Sequence, residues 1–161
     1  MEIKTADLCD KFPAGLRVAE PAGFRDFGGE KSFCGKIHTV KCFEDNSYVR
    51  KSLEQNGEGK VLVIDGGASL RCALLGDMLG ELAVKNKWKG IIVYGCIRDS
   101  AAIARLALGV KALNTNPQKS LKKDVGVENV PVHLAGIDFT PGEFVYCDED
   151  GIVVSVVELS I

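Results

Sequence analysis

Arg98 and Asp99 stand side by side just past an apolar run in IIVYGCIRDSA, residues 91–101, and twenty residues separate them from another acid, Asp77. A guanidinium at the end of a strand is a planar, two-pronged grip for a carboxylate. Gly76 interrupts the otherwise helical pattern of ALLGDMLGELAVKNKWKG, and Asp77 suits the first turn of the helix that follows. A helix starting there leaves the amides of Asp77, Met78 and Leu79 without intrahelical partners, and such an end binds carboxylates or phosphates. Together these residues predict a receptor for a small anionic substrate. Asp99 would repel that anion unless a cation lay between them. A hard divalent ion such as Mg²⁺, held by one carboxylate with waters and substrate oxygens in its other positions, resolves the conflict. The rival explanation is structural: a surface Arg-Asp pair in which Asp99 caps the helix SAAIARLAL. Spacing alone leaves both open.

The elements that must position these residues are legible in the hydrophobic pattern. KVLVID (60–65) and GIIVY (90–94) are continuous apolar strands with a helical stretch between them, a β-α-β unit of about 35 residues. Such strands lie parallel and buried, joined by a right-handed crossover, and ligands gather at their carboxyl ends. Asp65-Gly66-Gly67 closes the first strand and Gly95 the second, so the two ends must be neighbours. Further strands are predicted near 33–42, 109–113, 131–137, 143–147 and 151–157. Helices are predicted near 5–12, 46–56, 69–74, 77–87 and 99–107. Thr5 precedes ADLCDKF as a cap, Asp45 or Asn46 caps YVRKSLEQN, and Gly57 stops it. Pro141-Gly142 is a type II turn pair and Asp148–Gly151 a hairpin turn, so the C-terminal third is antiparallel.

Composition bounds the rest. One domain spanning 1–161 is expected, a size that buries roughly 70% of the unfolded chain's surface. With 46% hydrophobic and 26% charged residues and a net charge of -2, the chain reads as an ordinary soluble protein. The basic cluster at Lys119, Lys122 and Lys123 is short and lacks interleaved aromatics, which makes it a solvated loop and leaves no nucleic-acid partner to expect. The six cysteines form no CxxC pair and sit as reduced core thiols do, which points to the cytoplasm and away from a zinc site. No signal peptide and no membrane span are expected. Asp65-Gly66-Gly67 lacks the spacing of a dinucleotide loop, His38 and His133 read as ordinary strand histidines, and the 148–151 turn is not followed by the other ligands of a calcium loop.

Four stretches, FGGEKSFCGKIHTVKCFEDN, VLVIDGGASLRCALLGDMLGELA, GIIVYGCIRD and VPVHLAGIDFTPGEFVYCDEDGIVVS, cover much of the chain. They resemble the family named for the regulator of ribonuclease E activity A, the RraA-like family, whose wider membership includes class II 4-hydroxy-4-methyl-2-oxoglutarate aldolases. The residues alone give an α/β domain with a central parallel β-α-β unit and antiparallel C-terminal strands. The resemblance implies a three-layer β/β/α swivelling domain, assembled as a homotrimer or hexamer with sites near subunit boundaries. In the aldolase branch, the positions matching Gly76, Asp77, Met78, Leu79 and Arg98 bind the pyruvyl part of the substrate, and the position of Asp99 supports the metal.

The implied reaction is retro-aldol cleavage of 4-hydroxy-4-methyl-2-oxoglutarate to two pyruvates, or loss of CO₂ from oxaloacetate, both through a pyruvate enolate. Mg²⁺, or Mn²⁺ in its place, would act as the Lewis acid, with Arg98 and the 76–79 amides steadying the anion. The base for the C4 hydroxyl would be a water under the metal's influence, with Asp77 as second candidate. Longer aldolases of this family extend past the last strand and bring an acid to a neighbour's site, whereas this sequence reads VVELSI there, which implies a different substrate preference. The rival from another class is a non-catalytic regulator that binds an endoribonuclease. Asp99 discriminates, because the well-known bacterial regulator lacks the acid after its arginine. A methyltransferase reading fails for want of a glycine-rich donor loop.

Overall fold

The computed structural model describes residues 2–161. Four helices form: α1 (Thr5–Lys11), α2 (Ser47–Leu53), α3 (Asp77–Lys85) and the single turn α4 (Ser100–Ile103). The first strands are β1 (Leu16–Val18), β2 (Arg25–Asp26), β3 (Phe33–Lys41) and β4 (Lys60–Asp65). Then come β5 (Ala73–Leu75), β6 (Gly90–Ile97), β7 (Gly109–Thr115) and β8 (Val127–Glu128). The last are β9 (Val132–Leu134), β10 (Ile137–Phe139), β11 (Phe144–Cys147) and β12 (Ile152–Ser155). The main sheet runs β1-β12-β11-β3-β4-β6-β7-β2, with β5 added on β6 and β8 on β3, while β9 and β10 form a separate hairpin.

The expected β-α-β unit is present: β4 and β6 pair in parallel from Val61↔Gly90 to Asp65↔Tyr94. Both of its faces are buried, which is why its strands read as unbroken apolar runs. Leu62, Ile64, Ile91 and Val93 point to a core shared with Val49, Leu53, Leu79, Ala83 and Ile103 of the helices. Val61, Val63 and Ile92 point the other way, onto Val132, Leu134 and Phe139 of the hairpin and Val145, Ile152 and Val154 of the antiparallel strands. Helices, parallel centre and covering β-structure therefore make three layers. The antiparallel C-terminal third is also as expected: β11 pairs with β12, and Glu143 N–H donates to Thr140 O (3.1 Å) across Pro141-Gly142, with Gly142 at φ 90°.

The short strands β1, β2 and β8 lie outside every expected strand, and three expected elements take another form. Residues 69–74 are not a helix; the segment turns and then becomes β5, whose three residues are all buried. A run so short carries no usable periodicity, and its state is set by the partner strand β6. The strand expected at 131–137 is β9, a turn at Ala135 (φ 48°) and Gly136 (φ 75°), and β10. The helix expected at 99–107 stops at Ile103, and the chain continues as tighter turns, with Arg105 N–H on Ala102 O (3.1 Å) and Leu106 N–H on Ile103 O (3.0 Å). The carbonyls of Leu106 and Leu108 accept N–H groups of Gly29 and Glu30 at 3.1 and 3.2 Å.

Two buried or half-buried carboxylates tie distant segments together. Asp45, 3% exposed, accepts Ser47 N–H (2.9 Å) and Oγ–H (2.6 Å), and also Lys123 N–H (2.8 Å) and Val125 N–H (3.2 Å). Of the two expected caps for α2 it is therefore Asp45 that serves. Asp148 does the same for α1: it accepts both N–H and Oγ–H of Thr5 at 2.7 Å, so Thr5 is capped from across the chain instead of capping. Burial alone would raise both carboxyls, but these hydrogen bonds outweigh it and hold them below the ordinary 3.8. A depressed value adds stability that is complete above 3.8 and is lost as pH falls through the folded-state value. Asp45→Ala is expected to cost about 2–3 kcal/mol, since four donors lose their acceptor at once. Asp45→Asn should flatten the acid dependence of the urea midpoint below about pH 4. An unchanged acid limb in that variant would show that Asp45 carries none of it.

Candidate active site

The short strand β5 is what brings the site together. Ala73 pairs with Cys96 and Leu75 with Ile97, and the next amide, Arg98 N–H, donates to Leu75 O at 2.9 Å. This ladder sets Gly76-Asp77 beside Arg98-Asp99 although twenty residues separate the pairs. The β6–β7 register shifts between Val93 and Cys96, a bulge around Gly95 that re-aims the strand just before Arg98. Helix α3 then starts at Asp77 with Gly76 at its N-cap.

Gly76 is extended (φ -128°), a conformation open to any residue, so its smallness answers a spatial need. A Cβ there would lie 2.8 Å from Asp99 Oδ2 and 3.4 Å from Arg98 Nε. Both functional side chains thus lie directly over the start of α3. Asp99 Oδ2 accepts Asp77 N–H at 3.0 Å, and Asp77 Oδ1 accepts Met78 N–H at 2.7 Å. The helix end does collect carboxylates, as expected, but two of its three amides are engaged by the protein's own acids. An incoming anion must displace them or use Leu79 N–H and Arg98.

Asp99 sits at the N-cap of α4 in the left-handed region (φ 55°) and makes no side-chain bond to that helix. The carboxylate instead caps α3, across the cleft, so Asp99 is not the cap of its own helix. A non-glycine residue held there is mildly strained, a feature that recurs at functional sites.

A cleft of about 150 Å³ opens at this point, lined by Gly76, Asp77, Met78, Leu79, Arg98 and Asp99. Every residue singled out from the sequence is on its wall. Asn46, Arg50, Lys119, Ser120 and Lys122 help complete it, and none of the five stands out in the sequence as a site residue. Lys119 and Lys122 belong to the loop expected to be solvated, but that loop, which follows β7, folds back onto the cleft. Its anchors are Ala73 N–H to Gln118 O (2.8 Å), Asn46 N–H to Ser120 Oγ (3.1 Å) and the two amides held by Asp45. Asn46 Oδ1 is buried without a donor among the described residues, a sign of a polar group awaiting a partner that sequence alone does not give.

Both histidines lie elsewhere: His38 faces Glu128 (3.1 Å) and His133 faces Asp138 (2.7 Å). Burial pushes the Cys42 thiol up to about 12 and raises Cys72 and Cys96, so these core cysteines stay protonated. Among the described residues no three His, Cys, Asp or Glu side chains gather into a complete metal cage. A hard divalent ion would need no such cage, being held by one or two carboxylates and completed by water and substrate. Asp99, with Asp77 beside it, offers such a donor set. The loop after β4 is filled by its own neighbours: a Cβ on Gly66 would meet Leu74 Cδ1 at 2.5 Å, so it is a packed turn. Among the described residues no helix is long and apolar enough to cross a membrane.

Comparison with known proteins bears on what the cleft does. The family described as RraA-like, Aldolase/RraA, matches residues 5–154. A protein of Aromatoleum aromaticum (strain DSM 19018 / LMG 30748 / EbN1) is 57% identical over 155 residues, covering 96% of this chain and 97% of that protein. It is named "Putative 4-hydroxy-4-methyl-2-oxoglutarate aldolase". A Pseudomonas aeruginosa (strain LESB58) protein of the same name is 56% identical, covering 96% of this chain and 95% of its own. Among solved structures, the chain resembles one described as the RNA-processing inhibitor RraA from Thermus thermophilis, with a TM-score of 0.94, 40% identity and coverage of 99% and 96%. A Geobacillus kaustophilus HTA426 structure, described as S-adenosylmethionine: 2-dimethylmenaquinone methyltransferase, gives a TM-score of 0.95 at 46% identity, covering 98% and 97%.

Proposed function

This chain belongs to the RraA-like family (Aldolase/RraA), and from that premise we propose that it is a divalent-metal-dependent lyase. It cleaves 4-hydroxy-4-methyl-2-oxoglutarate into two pyruvates by a retro-aldol reaction and also decarboxylates oxaloacetate. The observation that carries this reading is the meeting of Arg98, Asp99 and the start of α3 in one cleft. The names borne by relatives at 57% and 56% identity support its aldolase part.

Arg98 grips the C1 carboxylate and 2-oxo oxygen of the substrate and holds that half in one plane. Leu79 N–H faces the same anion, joined by the Asp77 and Met78 amides where the substrate displaces the carboxylates that hold them, and these donors favour the charge that develops as the enolate forms. A divalent cation held by Asp99 would supply Lewis-acid withdrawal of electrons at the 2-oxo group. The C4 hydroxyl proton leaves, C4 becomes the carbonyl of one pyruvate, the electrons of the C3–C4 bond pass into the enolate of the other, and that enolate takes a proton from water at C3 to become the second pyruvate. With no histidine on the cleft wall, a water is the proton acceptor, and Asp77 is the second candidate.

Pyruvate release from both substrates is expected with Mg²⁺ and is expected to stop with EDTA. Silence with both substrates would favour the regulator reading, to which the RraA neighbour at 40% identity belongs. In that case the partner to seek is an endoribonuclease.

A homotrimer, or a dimer of trimers, is part of the same proposal. Phe43, Leu70, Met78 and Leu121 are each more than half exposed, and all lie at the end of the sheet that carries the cleft. Apolar side chains so placed suit a subunit boundary beside the site. Light scattering at micromolar concentration should give three or six chain masses, and a monomer mass alone would overturn the assembly.

A further inference from the structure

The cleft carries more positive charge than one carboxylate needs. Arg50, Arg98, Lys119 and Lys122 line it, against Asp77 and Asp99. Arg98 lies over the start of α3, where the aldolase reading places the pyruvyl carboxylate, and Arg50 is paired with Glu54 at 3.3 Å. Lys119 and Lys122 form no ion pair among the described residues, whereas nearby Lys51 is taken by Asp124. Their loop is not a loose one. The buried Asp45 carboxylate holds its Lys123 and Val125 amides, Ser120 Oγ accepts Asn46 N–H, and Leu121 N–H donates to Glu44 O (3.2 Å). Two exposed lysines without ion pairs among the described residues are thus carried on an anchored loop, at a site whose other half is proposed to receive an anion.

Resting on the aldolase reading, we infer that Lys119 and Lys122 seat the distal carboxylate of the substrate, and that this seat favours aldol cleavage over decarboxylation. In 4-hydroxy-4-methyl-2-oxoglutarate the distal carboxylate is attached to C4 and keeps its charge throughout. The C3–C4 bond breaks, the hydroxyl proton leaves, and that carboxylate remains on the departing pyruvate. Its contact with the lysines is as strong in the transition state as before, so the lysines supply binding and position. In oxaloacetate the distal carboxylate is the leaving group. The C3–C4 bond breaks, its electrons pass into the enolate, and the carboxylate departs as neutral CO₂. An ammonium beside it stabilises the ground state more than the transition state and slows the step.

The test is the double variant Lys119→Met, Lys122→Met, assayed in three reactions with Mg²⁺. Expected are a fall in kcat/KM for 4-hydroxy-4-methyl-2-oxoglutarate of about tenfold, mostly through KM, as for two exposed charge contacts, and an oxaloacetate kcat that rises. Exchange of pyruvate methyl protons in D₂O, which reads only the Arg98 half and doubles as a check of folding, should be unaltered. Arginine at both positions should restore cleavage. Undiminished cleavage in the Met variant, or loss of proton exchange in step with it, overturns the seat. An oxaloacetate kcat that stays the same or falls overturns the bias. Failure of the aldolase reading itself looks different: the unaltered protein then neither exchanges nor cleaves, and the inference goes with it.

Discussion

Asp99→Asn is expected to lower Mg²⁺-dependent pyruvate release by about a hundredfold or more with both substrates, the size of effect seen when a group opposite developing charge is lost. Its thermal midpoint should stay within a few degrees of the parent. Asparagine tolerates the left-handed backbone found at φ 55° and can still accept Asp77 N–H through its amide oxygen. What it loses is the charge that would hold the cation. Asp99→Ala is a poorer experiment. It removes the acceptor from α3 and puts a Cβ-bearing residue without a local hydrogen bond at a positive φ, each costing about 1 kcal/mol. A drop in melting temperature would then accompany either role. Measuring turnover, Mg²⁺ affinity by calorimetry and melting on one Asp99→Asn preparation separates them. Normal pyruvate release from that protein would sink the metal assignment and leave Asp99 as a cap of α3.

Arg98→Lys should reduce kcat/KM for both substrates by about a hundredfold, with kcat falling at least as much as KM rises. Lysine keeps the charge, but an ammonium cannot make two coplanar hydrogen bonds to a carboxylate and its neighbouring keto oxygen. The fold should not notice. The contact that sets the position of residue 98 is its backbone N–H on Leu75 O, which any non-proline residue supplies. Circular dichroism and melting should therefore match the parent. Turnover within a factor of a few would show that a point charge suffices and that Arg98 acts through electrostatics alone.

Arg98 and Asp99 stand out in the sequence itself because local pattern encodes burial. KVLVID and GIIVY announce strands buried on both faces, and Leu62, Ile64, Ile91 and Val93 indeed face the helices while Val61, Val63 and Ile92 face the hairpin. Such strands must run parallel, and their shared carboxyl end is where ligands collect. Gly76 marks a break and a fresh helix start by the same local logic. The identity of the chemistry comes from the residue types at that end and from the family resemblance, not from periodicity.

Contacts between distant residues are not legible in that way. Three apolar residues, Ala73–Leu75, form a strand only because β6 continues past Gly95 and offers them a ladder. Asp99 is placed by local spacing to cap its own helix, yet its carboxylate bonds to an amide 22 residues away. Thr5 is capped from 143 residues away. Lys119 and Lys122 look like solvated surface until Asp45 draws their loop onto the cleft. The physical reason is common to all four. The period of a sequence sets which faces are apolar, but which polar group meets which is decided by sheet register and loop anchoring, and a backbone amide carries no mark of its eventual acceptor.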